Sequence, residues 1–560
     1  MRAEAGVALL ALAALLGGAC GVRGGNVLRA KTGVDGSPDG TNQVDGSPDL
    51  APPPDGGPSE PIGPLMTVYL SPTGADTNPG TADAPWKTFA FALPKLAPGM
   101  TLVLQDGTYA AATTGYLRAY CAPVMGTGAM ATTVLVPANA ANGTVDQPIT
   151  VRAQNERRAF LQGDGAGPAI GLSACQNWVL DGLRAEGADV AGEKGDEPGS
   201  VVVLTRGCGN VLLRRLLAAK PNRYMEASVY VIGHAAAGVV VEECEAVDFH
   251  YYGFHAFDSQ RPIFRRSHAH SRDTADLVGG IATLQPAMGD GGFLLTKSKS
   301  GLIENCVAER VGDGFTIAAS RSAMNGRVQP QFNQVFGSMA LGTSRAGFVV
   351  ASHCAAMKPC EQGDQLVSDP LFSNNVARGG ALGFWSTGGV RVQIENGSVF
   401  DVTDAGVLFS IDAENSGLTS SAFARASQVS GTSTAGFRSM GGYVDWSFAR
   451  CNVFGPTTSF VPRDGHVDDP TEVDPMFGGC YVVVPPGSPL RAAAPGGAGV
   501  GANIVYRYED GQLTTTKLWD QTTGSFPCGA TVPGVNDREE VSCTGVHTRA
   551  HVGAAGCPIP

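Results

Sequence analysis

The chain has 560 residues, which is long for one ordinary globular domain and predicts either several domains or one elongated repeat architecture. It contains 76 glycines and 36 prolines but only 16% charged residues, a composition that favours many short strands over long amphipathic helices. The net charge of −12 argues against a nucleic-acid-binding protein, because phosphates require clustered cations. An acidic polysaccharide would be a partner only if a local basic patch or a bound metal offsets the repulsion.

The N-terminus predicts export. Arg2 precedes an apolar run at residues 7–16, and small residues at 17–19 lead to Cys20. This is the pattern of a signal peptide over residues 1–20, too short to span a membrane. The run Leu-Leu-Gly-Gly-Ala-Cys resembles a bacterial lipobox, so we expect Cys20 to carry a lipid that provides the only membrane contact. Ordinary cleavage and secretion is the alternative.

Residues 21–65 are predicted to be a disordered tether. The sequence Val-Asp-Gly-Ser-Pro-Asp occurs at residue 34 and again at residue 44, and is followed by further Gly and Pro. Such a segment has too few apolar residues to bury a core. It would hold a folded body away from a membrane surface.

The cysteines agree with an oxidising compartment. Of thirteen cysteines, twelve remain without Cys20, and an even number in an exported protein predicts disulfides. Cys354 and Cys360 bracket a short loop and form the best candidate pair, whereas Cys244 and Cys306 occupy equivalent repeat positions and could be buried thiols. Further disulfide candidates lie near the C-terminus: Cys480, Cys528, Cys543 and Cys557. The absence of a CxxC pair gives no support to a structural zinc site.

A repeat dominates the middle of the chain. Similar eight-residue blocks begin at residues 178, 211, 239, 262, 301 and 370, with weaker copies at 330 and 392, so that successive blocks start 22 to 40 residues apart. After several blocks a Gly-aromatic pair opens a second short strand, as at Gly253-Phe254 and Gly314-Phe315. Fixed strands at an irregular period are typical of a β-solenoid. We therefore predict an all-β fold in which residues 66–505 form a right-handed parallel β-helix of roughly ten to twelve coils.

Both ends of this body have cap patterns. Phe89, Leu93 and Leu96 form an apolar stripe that predicts one small helix, followed by a strand at 102–104. This pattern resembles the N-terminal helical cap of the pectate-lyase-like β-helix superfamily, in which a helix plugs the open end of the solenoid. Residues 474–490 resemble the last coil of bacterial β-helix proteins. Residues 506–560 are expected to form a disulfide-containing C-terminal cap, with a strand or hairpin at 506–508.

Stacking of the blocks places polar residues along one edge of the predicted solenoid, because equivalent positions of neighbouring coils lie about 4.8 Å apart. His268 and His270 are two residues apart and should share one face of a strand. The loop at residues 271–291 should overhang this edge. The residues expected to converge there are Asp248, His250, His255, His268, His270, Arg272, Asp273, Asp290, Arg310 and Asp313. Solvent-exposed turns that are polar for local reasons are the alternative interpretation.

Two segments here resemble a family of calcium-dependent polysaccharide lyases. Residues 290–297 (Asp-Gly-Gly-Phe-Leu-Leu-Thr-Lys) and 312–316 (Gly-Asp-Gly-Phe-Thr) are similar to that family in order and rough spacing. The resemblance implies calcium held by Asp290 and Asp313, with Lys297 as the base. Outside the two matching segments, Asp273 is a candidate for a further ligand from the loop and Arg272 is a further candidate base. The chain departs from the family by extra residues in the first segment and by keeping only one acid of the second, whereas calcium takes six to eight oxygen ligands.

These observations predict a monomeric, exported protein that acts on an extracellular polysaccharide, with β-elimination of an acidic glycan as the leading reaction. In this prediction Arg272, Lys297, His250 and His270 are catalytic. The substrate would be bound by Asp248, His255, His268 and Arg310. A glycoside hydrolase is one alternative, although the Asn-Thr-Asp and Gly-His-Gly signatures of polygalacturonases are absent and the only Asp-Asp pair is Asp468-Asp469. A non-catalytic glycan-binding or adhesive solenoid is the other.

Overall fold

The structure is a computed structural model of the chain. It describes residues 66–121, 138–165, 167–188, 201–221, 228–249, 251–270, 291–319, 330–352, 367–411, 420–431, 433–440, 443–461, 466–477, 482–485, 487–494 and 497–518. The predicted signal peptide, Cys20 and the tether therefore lie outside the described residues. Among those residues no helix is both long and apolar enough to cross a membrane.

Three long parallel sheets, named A, B and C, make up the described body. Sheet A has 14 strands: Thr67–Leu70, Thr101–Leu104, Ile149–Ala153, Gln176–Asp181, Gly209–Arg214, Val240–Glu242, Ile263–Arg265, Leu302–Glu304, Gln334–Phe336, Leu371–Ser373, Val392–Glu395, Ser420–Arg425, Tyr443–Ala449 and Val467–Asp468. Sheet B has 12 strands: Gly107–Ala110, Ala159–Gln162, Arg184–Glu186, Leu217–Ala219, Glu245–Val247, His268–His270, Val307–Glu309, Met339–Leu341, Val376–Arg378, Ser398–Phe400, Gln428–Ser430 and Asn452–Phe454. Sheet C has 13 strands: Leu117–Tyr120, Ala138–Asn139, Ile170–Ser173, Val203–Arg206, Tyr230–Gly233, Tyr252–Phe257, Gly291–Thr296, Asp313–Ala318, Ala346–Ala351, Leu382–Ser386, Ala405–Phe409, Ala435–Ser439 and Thr458–Val461.

The chain visits the three sheets in the order A, B, C and then returns to A, so each circuit is one coil of a right-handed parallel β-helix. The blocks at residues 178, 211, 239, 262 and 301 lie next to one another in sheet A in parallel register. The 12 strands of sheet B correspond to twelve coils in the described part of the chain, the upper end of the expected number. The predicted fold is confirmed.

Each eight-residue block contains two strands, one of sheet A and one of sheet B, rather than a single strand. One residue with positive φ separates them, for example Glu243 (54°), Arg266 (48°) and Asn305 (50°). A single left-handed residue bends the chain sharply enough to start a new sheet. Charged residues hold this conformation at several corners, which hides the bend from a search for Gly or Asn.

A column of aromatic rings fills the interior under sheet C. Phe254, Phe293, Phe315 and Phe348 are fully buried, and successive rings stack with centroids 4.7 to 5.0 Å apart. Each ring follows a glycine for a steric reason. A Cβ at Gly314 would lie 2.4 Å from the carbonyl oxygen of Gly347 in the next coil. The Gly-aromatic pairs of the sequence are therefore the entry points of sheet C strands.

A short helix closes the N-terminal end, as predicted. The α-helix Phe89–Ala92 continues into a 3-10 turn at Leu93–Lys95, and Phe89, Leu93 and Leu96 are buried against the first coils. The Thr88 side chain caps the helix by accepting a hydrogen bond from the Phe91 amide. Two further short helices are Ala111–Thr114 and the 3-10 turn Pro489–Ala492.

Asp76 ties the loop before this helix to its N-cap. Its carboxylate accepts hydrogen bonds from the amides of Lys87 and Thr88 and from the Thr88 hydroxyl, at 2.7 to 3.0 Å. We expect Asp76→Ala to lower the free energy of unfolding by about 1–2 kcal/mol, because three donors lose their acceptor. Urea unfolding would measure this loss. Asp83→Ala in the same loop is the control and should change stability by less than about 0.5 kcal/mol; equal effects of the two variants would contradict the capping role.

The C-terminal segment runs back along the solenoid. The sheet ladder ends at Val467–Asp468, and apolar residues from Phe477 to Ile504, among them Val482, pack on Val307 and Met339 on the outer face of sheet B. The predicted last coil at 474–490 is thus replaced by a strap across sheet B. An antiparallel hairpin, Tyr506–Glu509 with Gln512–Lys517, follows it and rests on the solenoid, as expected for a cap.

One disulfide, Cys121–Cys175, joins neighbouring coils within the described residues. Cys244 and Cys306 are buried free thiols, as their equivalent positions suggested, and Cys208 and Cys451 are buried thiols as well. The predicted pair Cys354–Cys360 and the cysteines at 480, 528, 543 and 557 lie outside the described residues. A disulfide in the body agrees with an exported protein.

Candidate functional site

The outer face of sheet C carries most of the described site candidates. Along each strand, side chains alternate between the buried interior and this face. Phe254 and Ala256 point inward, so His255 and Phe257 point outward, and Tyr252 packs with Leu294 on the same outer face. Outward positions in other coils are occupied by Arg118, Arg206, Leu294, Asp313, Thr316, Val349, Trp385, Leu408 and Arg438.

An ion pair stands at the edge where the chain enters sheet C. The Arg345 guanidinium donates from Nε to Oδ1 of Asp313 at 2.7 Å and from a second nitrogen to Oδ2. The Asp313 side chain is 1% exposed, whereas that of Arg345 is 35% exposed. Burial raises the pKa of Asp313, and Arg345 acts in the opposite direction. The arrangement is a buried carboxylate whose charge is balanced by a partly solvated guanidinium.

Trp385 continues this edge toward the C-terminal coils. The Arg345 guanidinium lies 5.9 Å from the Trp385 ring centroid, and the indole N–H donates to the Ser410 hydroxyl at 3.0 Å. Two coils beyond Trp385, Arg438 donates to Asp404 at 2.7 Å. A flat, partly exposed indole between two guanidinium groups can stack on a sugar ring while the cations face its charged substituents.

Toward the N-terminal coils, His255 lies among aromatic rings. Its ring is 6.0 Å from that of Tyr251 and 6.1 Å from those of Tyr252 and Phe257. Burial lowers the pKa of His255 to about 4, and its Nε2 is enclosed without a hydrogen-bond partner. The imidazole is therefore neutral at physiological pH. Lys297 lies across Phe257, with Nζ 5.7 Å from the ring centroid.

The predicted base and the predicted metal ligand lie on opposite edges of sheet C. Asp313 is in register with Gly291 at the start of its strand, whereas Lys297 follows the end of that same strand. Six extended residues separate the two positions, which is about 20 Å. Lys297 and Asp313 cannot touch one sugar residue together. The lyase-like pairing of these two residues is therefore not assembled in this structure.

His268 and His270 lie on the outer face of sheet B instead of sheet C. Their rings stack at 4.4 Å, as expected for two residues on one strand face, and Nε2 of His268 is 3.4 Å from a carboxylate oxygen of Glu309. Their strand is in register with Glu245–Val247 on one side and with Val307–Glu309 on the other. The described residues that were predicted to converge thus form two groups, one on sheet B and one on sheet C.

Asp248 and Arg310 occupy equivalent corners between sheets B and C. Both have positive φ, 53° and 53°, directly after a sheet B strand. They flank the entry to sheet C. His250, Arg272, Asp273 and Asp290 lie outside the described residues, so their parts in the predicted site stay predictions.

The described residues do not fit a calcium ion. Both oxygens of Asp313 are hydrogen-bonded to Arg345, and the described part of the chain contains no group of three His, Cys, Asp or Glu side chains able to hold a metal. Calcium takes six to eight oxygens. We therefore derive no reaction step through a metal ion.

Cations gather on the outer face of sheet C although the chain is acidic overall. This face carries Arg118, Arg206, Lys297, Arg345 and Arg438. Two carboxylates on the same face, Asp313 and Asp404, are each bound by an arginine. Sequence reasoning missed the four arginines and Trp385. Trp385 and Arg438 each directly follow a Gly-Phe pair, at an outward position, and this was the available signal for them.

No family model matches the chain. A curated relative, the uncharacterised protein YwoF of Bacillus subtilis, is 45% identical over 42 residues, which are 8% of this chain and 9% of that protein. The chain therefore aligns with far less than two thirds of this relative.

Similar solved structures have low sequence identity. A rhamnogalacturonan lyase has a TM-score of 0.40 and 14% identity, covering 68% of this chain and 84% of that one. The A-module of the Azotobacter vinelandii mannuronan C-5 epimerase AlgE4 has a TM-score of 0.46 and 15% identity, covering 66% and 90%. The pectate lyase Pel9A has a TM-score of 0.37 and 14% identity, covering 68% and 79%.

Proposed function

We propose that the protein is exported, binds an acidic extracellular polysaccharide along the outer face of sheet C, and cleaves it by β-elimination. The observation that carries the proposal is the basic, aromatic character of this one face in a chain of net charge −12. An acidic polymer would be repelled by the molecule as a whole. Local cations on a rigid face offset that repulsion and orient the polymer.

The solenoid suits a linear polymer because its side chains repeat at the spacing of the coils. Groups at equivalent positions of sheet C, such as His255, Thr316 and Trp385, form one row across successive strands. A chain of sugars lying across the strands would meet a similar set of positions every 4.8 Å or so. Rows of this kind give binding without requiring any single strong contact.

For the reaction, β-elimination needs a base at the carbon next to the uronate carboxylate and a cation to stabilise the charge that develops there. Lys297 is the proposed base among the described residues, with Arg272 as the other candidate. Lys297 lies about 20 Å from Asp313, so a cation held by Asp313 could not stabilise the charge that develops beside Lys297, and another group must supply it. A glycoside hydrolase and a non-catalytic binding solenoid are the competing functions.

One experiment separates these functions. Purified protein is incubated with a panel of acidic and neutral polysaccharides, with and without calcium, and unsaturated ends are followed by ultraviolet absorbance while reducing ends are assayed in parallel. We expect both signals to rise together on an acidic polymer. Reducing ends without absorbance would indicate a hydrolase, and binding without either signal would indicate a binding solenoid.

Variants test the proposed base. Lys297→Met should lower the rate by at least about 100-fold, because a general base contributes this much or more. Asp369→Asn is the matched control, since Asp369 forms an exposed ion pair with Arg391 next to sheet A. Circular dichroism of both variants checks the fold. Full activity in Lys297→Met would contradict the assignment of the base.

A further inference from the structure

Arg118 is a buried cation that forms no ion pair within the described residues. It is 5% exposed, and two other arginines are buried to a similar degree, Arg157 at 4% and Arg266 at 5%. Arg157 and Arg266 each form ion pairs with glutamates. Arg118 forms none within the described residues, and its two terminal nitrogens are enclosed without any hydrogen-bond partner. Only its Nε is bonded, to the Pro168 carbonyl oxygen at 2.7 Å.

Such a group is costly for folding. Burying a charge without hydrogen bonds or a counter-charge opposes the folded state, and native proteins keep such groups mainly where they serve a function. Burial lowers the pKa of Arg118 to about 10, with Tyr116 and Asp164 acting in the opposite direction. The side chain thus remains a cation at physiological pH.

One face of this cation lies under an aromatic ring. Arg118 points to the outer face of sheet C, because its neighbours Leu117 and Ala119 belong to the interior core. The Tyr116 ring covers the guanidinium at 3.4 Å and is itself partly exposed. Gly115 precedes it with φ of 71°, and no atom lies within 4 Å of where its Cβ would stand. There is therefore open space next to the backbone that leads into Tyr116.

Arg118 also lies in the row that crosses the proposed binding face. Its register partner in the next coil is Gly171, so no side chain stands at the equivalent position of that coil. Leu204, Val231 and then His255 continue the row. Four strand spacings, about 19 Å, separate Arg118 from His255.

We propose that Arg118 is the anchor of a carboxylate-binding subsite for a uronate residue of the polysaccharide, with Tyr116 as a covering ring that moves when the carboxylate enters. This subsite rests on the proposed function, since it lies on the same face. A guanidinium and a carboxylate form two parallel hydrogen bonds, which would satisfy both terminal nitrogens at once. Uronate recognition would then extend well beyond the histidine and lysine region.

Calorimetric titration of the full chain tests the subsite. The probes are oligosaccharides of galacturonate, of mannuronate and guluronate, and of glucuronate, with cellohexaose as the neutral probe and a sulfated glucan as the second anion. We expect at least one uronate to bind more tightly than the neutral and sulfated probes. Arg118→Met should weaken that binding at least about tenfold, and Arg118→Lys should restore only part of it, because a lysine lacks the two-pronged geometry.

Stability separates a binding role from a structural one. The denaturation midpoint of Arg118→Met should be unchanged or higher, because the variant removes an unpaired buried charge. Arg152→Met, an exposed arginine of sheet A in a neighbouring coil, is the control and should leave binding unchanged. A lower midpoint with unchanged uronate affinity would overturn the subsite and make Arg118 structural. If no probe binds the unaltered protein, the proposed function itself fails; if a uronate binds equally to Arg118→Met, only the subsite fails.

Discussion

The Arg345→Met variant is expected to unfold with a free energy about 3–5 kcal/mol lower than the unaltered protein at neutral pH. The reason is the environment of its partner: the Asp313 side chain is 1% exposed and would keep a buried charge with no counter-charge. Urea unfolding followed by fluorescence or circular dichroism measures the change. Because burial already raises the pKa of Asp313, protonation should relieve part of the loss as the pH is lowered.

A matched pair in the same sheet provides the control. Arg438 donates to Asp404 much as Arg345 donates to Asp313, but the Asp404 side chain is 45% exposed. Water can solvate Asp404 when its partner is removed, so Arg438→Met should cost less than about 1 kcal/mol. Replacing both members of the buried pair, as Asp313→Leu with Arg345→Met, should recover most of the lost stability. Equal losses in Arg345→Met and Arg438→Met would contradict the role assigned to burial.

The fold could be predicted because its determinants are local and repeated. Each Gly-aromatic pair marks a strand of sheet C, since glycine is needed where neighbouring backbones meet and the ring fills the interior. The corner between sheets A and B was not predictable in the same way. Residues such as Glu243 and Arg266 adopt positive φ there against their intrinsic preference, so the single block of the sequence conceals two strands.

The site was predicted only in part, because its contacts join residues one coil apart across loops of variable length. Asp313 was identified, but its partner Arg345 lies 32 residues later, outside the blocks that could be aligned. The separation of Lys297 from Asp313 was, in contrast, readable from the sequence. One residue precedes a Gly-Phe pair and the other follows the strand that such a pair opens, so they belong to opposite edges. Similar order along the chain did not imply proximity in space.

Glu304 should make the stability of the protein fall as the pH rises. It stands at the end of a sheet A strand, where Oε1 accepts a hydrogen bond from the Gly511 amide of the C-terminal hairpin at 2.5 Å and Oε2 is enclosed without a partner. Burial raises its pKa from 4.5 to about 7, although the Gly511 amide and Arg265 act in the opposite direction. Between these two values the unfolded chain releases the proton while the folded protein keeps it. The contribution of Glu304 to the free energy of unfolding is therefore fully present below about pH 4.5. It falls by about 3 kcal/mol as the pH rises to 7.

Glu304→Gln tests this expectation, because glutamine stays neutral at every pH. The variant and the unaltered protein should have similar free energies of unfolding near pH 4.5, and the variant should be about 3 kcal/mol more stable at about pH 8.

Glu242→Gln is the control with the opposite sign. Burial raises the pKa of Glu242, but Arg265 and Arg266 outweigh it and hold the pKa below its ordinary value. Its charged form therefore stabilises the fold above the unfolded pKa of 4.5, and Glu242→Gln should be destabilising at neutral pH and lose that effect on acidification. If the two variants had parallel pH profiles, the hairpin and the arginine pair would not set the charge states of these two carboxyl groups, which lie on either side of Arg265 in sheet A.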